Sequence, residues 1–461
     1  MPLEHTENSV AEIEGCTERN GIELIRFLWV DYNSVTRGKA VSRQALSSRM
    51  RSGVGLARSR QAATLLTDRM QQVPEIDAVG EVRLSPDPGS YVRLPHAPGS
   101  AAMLCDLMTL DGKPWEACPR SFLKDALAAA GDLRVVAAFE PEFTLCSQRP
   151  APGSFHLADD ALCCDNEGFD AVGDYMTDLV RSLREQGLAV ETCHPEYSPG
   201  QHEVTLRHGP ALRAADNYVW QRAFTRGLAR RHGLWATFAP LPRAGLVGNG
   251  NHVHLSLWRE GHDGGEPVNL FASPGDHLGL TDLARHFIAG LLAHLPALIA
   301  LTCASVNSYH RLLPGKWAGA YGAYGPDNRE AAIRLPSRHS EESPGSTRIE
   351  FKACDSSANP YLALGALVHA GLDGVRRRLD PGEPLAEDPV TLSEGELRRR
   401  GVQRLPRSLG EAVEALERDE YLTSALGPYH SSLYPTLKRI ETHDMAAAGV
   451  EAEFFTHAIR L

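Results

Sequence analysis

The chain holds 461 residues, 43% hydrophobic and 23% charged, with a formal net charge of -11 at pH 7. That length gives room for a large core and more than one domain. The acidic balance, with no long basic block to offset it, excludes a nucleic-acid partner held by phosphate contacts.

Met1 to Asn20 is polar and acidic, so residues 1–20 read as a flexible arm and not as a secretion signal. Gly21 to Val30 predicts a strand, Asp31-Tyr32-Asn33-Ser34 a turn, and Thr36 to Val41 a returning strand. Arg43 to Arg51 has helical composition. Val82 to Leu84 and Tyr91 to Leu94 flank the turn Ser85-Pro86-Asp87-Pro88-Gly89, and Ala101 to Leu107 adds a strand. This is a small α+β unit ending near Pro114.

Pro119 opens a helix through Ala130. Leu133 to Ala138 then reads as a buried strand leading into Phe139-Glu140-Pro141-Glu142-Phe143. Alternation puts Glu140 and Glu142 on one face. Two carboxylates on an apolar strand repel, and a cation between them resolves the repulsion; a solvated edge strand is the competing reading. Pro141 suggests a strand end or edge. Residues 147–170 form a connection, Tyr175 to Gln186 an amphipathic helix, and Leu188 to Cys193 a strand.

In His194-Pro195-Glu196-Tyr197-Ser198-Pro199-Gly200-Gln201-His202-Glu203, two glutamates bracket a Pro-Gly turn that can return both toward one point. Ala211 to His232 predicts a long helix, and Leu234 to Phe238 a strand. Gly248-Asn249-Gly250-Asn251 then turns into a strand on which His252, His254 and Ser256 share a face. Glycines there let backbone approach a ligand. Asp282 to Leu301 predicts one helix; the most apolar stretch, near Ile288 to Ala304, is interrupted by His294 and Pro296 and reads as buried, not as a membrane span. Arg311, Arg329 and Arg334 lie in a region rich in Gly and Tyr, where guanidinium groups suit phosphate and carboxylate; surface salt bridges are the alternative. Arg348-Ile349-Glu350-Phe351-Lys352 alternates, with three charges on one face. Tyr361 to Leu379 is helical, 380–410 a surface excursion, and Leu409 to Arg418 helical. The nine cysteines include adjacent Cys163-Cys164 but no C-x-x-C pair, the pattern of reduced thiols in a cytoplasmic protein without a zinc site.

These motifs, in this order, resemble the glutamine synthetase family, class I type. The likeness includes Phe27-Leu28-Trp29-Val30-Asp31, Arg37-Gly38-Lys39 and Asn359-Pro360-Tyr361, and it spans nearly the whole chain. The resemblance implies an α+β protein: a β-grasp domain over 21–113, then a catalytic domain over 114–461 with an antiparallel sheet and surrounding helices. It implies Glu142, Glu196 and Glu203 at one divalent metal and Glu140, His252 and Glu350 at a second, with Mg²⁺ or Mn²⁺ suited to oxygen-dominated ligation. It implies glutamate contacts from Gly248, Arg311 and Lys352. ATP contacts fall on Glu191, His254, Ser256, Arg329, Arg334 and Arg348, with Arg329 also offsetting charge on the transferring phosphoryl group. It further implies a homo-oligomer, a dodecamer of stacked rings with sites between subunits.

The chain departs from the family where ammonium binds. The flap glutamate after the Arg-Leu-x-Pro-Gly run is Trp317, and an N-terminal aspartate is matched by Ala57. Binding and deprotonating ammonium needs nearby carboxylates. A Trp face instead covers an alkyl chain or attracts a cation. The expectation is therefore an ATP-dependent glutamate–amine ligase, with ethanolamine the first choice of acceptor, then polyamine or monoamine. An ordinary glutamine synthetase and a non-catalytic ring are the alternatives. Lys352, where the family has Arg, replaces a fork with a point charge.

Overall fold

A computed structural model describes residues 10–73, 76–261, 265–337 and 344–461. The first of its two sheets contains β1 (Leu24–Val30), β2 (Thr36–Ser42), β3 (Val54–Ala57), β4 (Glu81–Pro86), β5 (Val92–Arg93) and β6 (Ser100–Met108). Their order is β2-β1-β6-β4-β3, with β5 also on β6. β1 and β6 run parallel and the other pairs antiparallel. Alternation in β1 buries Ile25, Phe27 and Trp29. The predicted turn forms because the Asp31 carboxylate accepts the Asn33 and Val35 N–H groups at 2.9 Å each. The expected loose arm is corrected in part: Val10–Arg19 is a helix that buries Ile13 and Thr17. Residues 1–9 lie outside the described ones.

The second sheet is built from β7 (Arg134–Cys146), β8 (Val190–Pro195), β9 (Gln201–Leu206), β10 (Gly209–Pro210), β11 (Trp235–Thr237), β12 (Asn251–Arg259), β13 (Val268–Asn269), β14 (Tyr321–Pro326), β15 (Ala331–Leu335), β16 (Ile349–Phe351) and β17 (Gln403–Arg404). Its main path is β17-β14-β15-β16-β12-β7-β9-β8. It is antiparallel except for β14 against β15. β7 is the spine, with β12 and then β11 along one side and β10 and then β9 along the other.

That arrangement corrects the reading of Pro141 as a strand end. Glu142 donates its N–H to Gly250 O on the β12 side. Alternation therefore turns Pro141 toward the opposite side, into the gap between the β10 ladder ending at Ala137 and the β9 ladder starting at Glu142. The missing N–H forfeits no ladder bond there.

Helices cover the sheet. Ala211–Arg231 stacks Tyr218 on Phe139, with ring centroids 5.0 Å apart. Pro360–Arg377 crosses Asp282–Ala293 where both carry glycine: a Cβ on Gly290 would lie 2.2 Å from Ala370 O, and one on Gly374 would lie 2.1 Å from His286 O. Only glycine permits that approach. The single helix expected from Asp282 to Leu301 is two, Asp282–Ala293 and Leu295–Thr302, bent by 75°. The break falls at His294, whose ring reaches Asp419 at 2.7 Å and Asp373 at 3.1 Å, just before Pro296. Among the described residues no single helix is long and apolar enough to cross a membrane, and this bent pair, the one that passes on length and composition, buries Ile288, Leu291, Leu298 and Ile299.

The 380–410 excursion contains a helix, Glu394–Arg399, and the short strand β17. Beyond Arg418 come two helices absent from the sequence reading, Glu420–Ala448 and Val450–Arg460; the first kinks at Gly427, whose φ is 71°. Several junctions join the N-terminal sheet to the rest, two of them through the buried Arg120 and Asn359. Buried Arg120 pairs with Asp87 and Asp106 on one side and Asp216 on the other, at 2.6, 3.0 and 2.8 Å. The Asn359 amide donates to Val30 O and Asp31 O.

Candidate active site

Strand register alone gathers the acidic centre. β7 against β12 sets Glu140 opposite His252; β12 against β16 sets His254 opposite Glu350; β7 against β9 sets Glu142 opposite Glu203. Ligand atoms of Glu140, His252 and Glu350 lie within 4.8 Å of one another, the trio expected for one metal. The second such trio is His194, Glu196 and Glu203. Here the structure differs from the expected set of Glu142, Glu196 and Glu203. Glu142 Oε2 is engaged, accepting from Gly250 N–H at 2.9 Å and the Gln201 amide at 2.8 Å. Its Oε1 lies 3.9 Å from His252 Nε2, so Glu142 stands between the trios. His194 Nε2 instead lies 2.9 Å from Glu196 Oε1.

The charges of this centre are far from balanced. Burial and the neighbouring Glu140, Glu142 and Glu196 push the Glu203 carboxyl well above its usual range. Burial also opposes ionisation of Glu140 and Glu350, but His254 and His252 around Glu140, and Lys352 and His252 around Glu350, outweigh it and hold both low. Glu142 is raised by burial, eased by His252 and worsened by Glu196. Oxygen-rich trios in a shared negative field fit hard divalent cations.

Gly248, Arg311 and Lys352 lie together. A Cβ on Gly248 would lie 2.7 Å from Arg311 Cγ, so the Arg side chain packs on bare backbone. Arg311 is buried; its Nη2 lies 3.5 Å from His252 Nε2, and its Nη1 has no partner among the described residues. Lys352 Nζ lies 3.3 Å from Glu350 Oε1 and 3.4 Å from His252 Nε2.

The residues assigned to ATP divide. Arg348 donates to His254 Nδ1 at 3.0 Å, and His254 Nε2 lies 2.9 Å from Glu140. Arg334 donates to Glu350 Oε2 at 2.9 Å, bonded to a metal-trio carboxylate. Ser256 Oγ accepts from Trp258 Nε1. Glu191 lies out on β8, paired with Arg207 at 2.7 Å. Arg329 is set with its guanidinium 5.7 Å from the centroid of the Trp317 ring.

That ring joins the two halves of the site. Trp317 also meets Tyr197 edge-on, centroids 6.4 Å apart, and the Tyr197 N–H donates to Glu196 Oε2 at 3.0 Å. An aromatic pair thus runs from the Glu196 carboxylate to Arg329, and both rings are more than half exposed. Ala57 ends β3 in the N-terminal sheet, opposite Glu81. Sequence reasoning missed the roles of His194, Tyr197, Gln201 and Glu330. The first three lie inside the motif around Glu196; His194 and Gln201 alternate with Glu196 and Glu203, which was the available signal, whereas Tyr197 adjoins Glu196 and gave none. Glu330 adjoins Arg329 but gave no signal, because only the fold sets it behind the 314–318 loop.

Two neighbouring carboxylate–imidazole sets, ringed by guanidinium groups and built on sheet register, suit divalent cations and anionic groups. Similarity to known proteins gives the family. The family model for the glutamine synthetase catalytic domain matches residues 116–456, and that for the glutamine synthetase N-terminal domain matches 8–115. The chain is 36% identical over 380 residues to a glutamine synthetase of Methanocaldococcus jannaschii, covering 81% of this chain and 82% of that one. It is 36% identical over 415 residues to gamma-glutamylpolyamine synthetase GlnA3 of Streptomyces coelicolor, covering 88% and 87%. Among solved structures, a GmaS–ADP complex superposes with a TM-score of 0.82 at 31% identity, covering 95% and 96% of the two chains. A novel glutamine synthase homolog gives 0.81 at 35%, covering 94% and 97%. The chain belongs to the glutamine synthetase family and is an ATP-dependent ligase of that family.

Proposed function

We propose that this chain joins the γ-carboxylate of glutamate to an organic amine at the expense of ATP, with ethanolamine the first acceptor to test, then polyamines and monoamines. The observation that carries this reading is Trp317 on Tyr197 and Arg329, an aromatic wall where ammonium would need a carboxylate. GlnA3, by its name a gamma-glutamylpolyamine synthetase, and the GmaS–ADP complex support it. The relatives named glutamine synthetase keep ammonium as the second reading.

The residues divide the work as follows. Arg311, with its free Nη1, binds a carboxylate of glutamate, and Lys352 neutralises the adjoining anionic wall. The γ-carboxylate attacks the γ-phosphorus of ATP, giving γ-glutamyl phosphate and ADP. Arg329 offsets charge on the transferring group, and Arg348 holds His254 against Glu140. The amine nitrogen then attacks the acyl carbon, phosphate leaves, and the nitrogen loses its proton. Glu140, His252 and Glu350, and Glu196 and Glu203 with His194, would hold Mg²⁺ or Mn²⁺, which when bound neutralises phosphate oxygens. Glu142 serves both sets. The assembly we propose is a dodecamer, which light scattering coupled to size exclusion would measure.

The test is phosphate release from ATP with Mg²⁺ and glutamate, against ammonium, ethanolamine, short monoamines and polyamines, with products identified by mass. Turnover with one amine and little with ammonium is expected. Turnover with ammonium alone overturns the reading.

A further inference from the structure

Glu330 is a buried carboxylate that the chemistry above does not use. It is 3% exposed, and burial raises its carboxyl above the usual range. Its Oε1 accepts the Trp317 N–H at 2.7 Å, and the Gly315 amide lies against the same carboxylate. Its Oε2 is buried with no hydrogen-bond partner among the described residues. The base of Glu330 is rigid. Its own N–H donates to Asn328 Oδ1 at 3.1 Å, and the Asn328 amide donates to Leu385 O and Glu387 O at 2.9 and 3.0 Å. The 314–318 loop hangs from this fixed point.

The loop needs such a hold. Trp317 has φ of 54°, in the left-handed region where a bulky side chain is an outlier. A residue persists there only when its surroundings over-determine it. The indole itself is 57% exposed, so core packing does not supply the constraint. The hydrogen bond to Glu330 does, and it fixes the backbone that aims the ring at Tyr197 and Arg329.

We infer that Glu330 is a positioning residue for acceptor choice: it holds the Trp317 backbone so that the indole stands closed on Tyr197 and Arg329. The role in acceptor choice rests on the amine-ligase reading, whereas the hold on the loop does not. A carboxylate behind the loop orders an apolar wall, where a carboxylate on the loop would have offered charge to ammonium.

The test uses full-length Glu330→Ala and Glu330→Gln with Mg²⁺, ATP and glutamate, and has two readouts. Hydrogen exchange of the 315–318 amides reads the hold directly: the Ala variant exchanges about tenfold faster there, and Gln, which keeps an acceptor oxygen, restores most of the protection. Steady-state kinetics reads the consequence: in the Ala variant the KM for the preferred amine rises about tenfold while kcat falls less than about threefold, and Gln recovers most of the loss. Unchanged loop exchange in the Ala variant overturns the proposal. So does equal damage to the KM values of ATP, glutamate and amine, which marks a merely structural role. If the amine panel shows ammonium alone, the functional reading and the acceptor role fail together, and the exchange arm still decides whether Glu330 holds the loop.

Discussion

The two sides of the active site are made in opposite ways. The side proposed to hold metal consists of carboxylates and histidines on β7, β9, β12 and β16, fixed by strand register, with Glu140 and Glu350 paired to histidines and Glu203 left among like charges. The side proposed to face the acceptor consists of two exposed rings and an arginine on loops, held by the Trp317 and Tyr197 backbone hydrogen bonds and by ring contacts. Repelling carboxylates must be placed within tenths of an ångström before a cation can bind, and sheets supply that rigidity. An acceptor wall only has to exclude water and cover apolar surface, which loops can do. On the proposed function, reaction type is written into the sheet, and acceptor choice into loop residues that can change without disturbing it.

The sharpest way to break the metal side is Glu350→Gln. Glu350 is the crossing point of His252, Lys352 and Arg334. Removing its charge strands the buried Lys352 ammonium and leaves Arg334 with Asp327 alone, and breaking a buried pair costs about 3–5 kcal/mol. Turnover with saturating Mg²⁺ and ATP is expected to fall by about a thousandfold or more, and Tm to fall with it. Full activity would show that the carboxylate gathers no metal.

Chelation probes the same side without mutation. Metal-free protein carries the mutual repulsion that pushes Glu203 up. Adding Mn²⁺ or Mg²⁺ to a hundred times its Kd is expected to stabilise the fold by about 2.7 kcal/mol per site, read as a rise in Tm that EDTA reverses. A Tm indifferent to both ions would argue against the two trios as cation sites.

On the acceptor side the expected effects are smaller and selective. Trp317→Ala should lower kcat/KM for the preferred amine about tenfold, the scale of one desolvated cation–π contact plus lost cover. Tyr197→Ala should lower it about threefold, since its edge contact is worth less. Trp317→Glu should shift the ratio of amine to ammonium kcat/KM toward ammonium by more than about tenfold. Equal losses for every acceptor would show that the ring only supports the loop.

This contrast also explains what could be read from the sequence. Glu140, Glu142, His252, His254 and Glu350 are legible because period-two alternation on apolar strands states which side chains share a face. The N-terminal strands and their Asp31 turn are legible for the same reason. Alternation does not reveal which strands pair, so Pro141 looked like a strand end although it faces a gap inside a 13-residue strand. His294 did not disclose that its two aspartates break the Asp282–Leu301 segment into two helices, because Asp373 and Asp419 are distant in sequence. Gly427, Pro428 and Pro435 hid the long kinked Glu420–Ala448 helix, whose stability comes from tertiary packing and not from propensity. Trp317 was found as a departure, but its contacts with Tyr197 and Glu330 depend on a loop whose path no periodicity encodes.

The smallest effect separates Glu330 from the metal carboxylates by pH. Burial raises its folded-state carboxyl above the usual value of 4.5. The folded chain thus holds that proton more tightly than the unfolded chain. Its contribution to stability is present in full below pH 4.5 and is lost as pH rises through the raised value. Glu330→Gln has no proton to lose at this position, whereas every other titrating group is common to both chains and cancels in the difference. The Tm of the variant minus that of the native chain should therefore climb by about one or two degrees as pH increases above 4.5, measured by calorimetry in EDTA so that metal binding does not intrude. A difference that is flat with pH would mean that solvent reaches Glu330 freely, and the carboxylate would then be too loosely held to order Trp317.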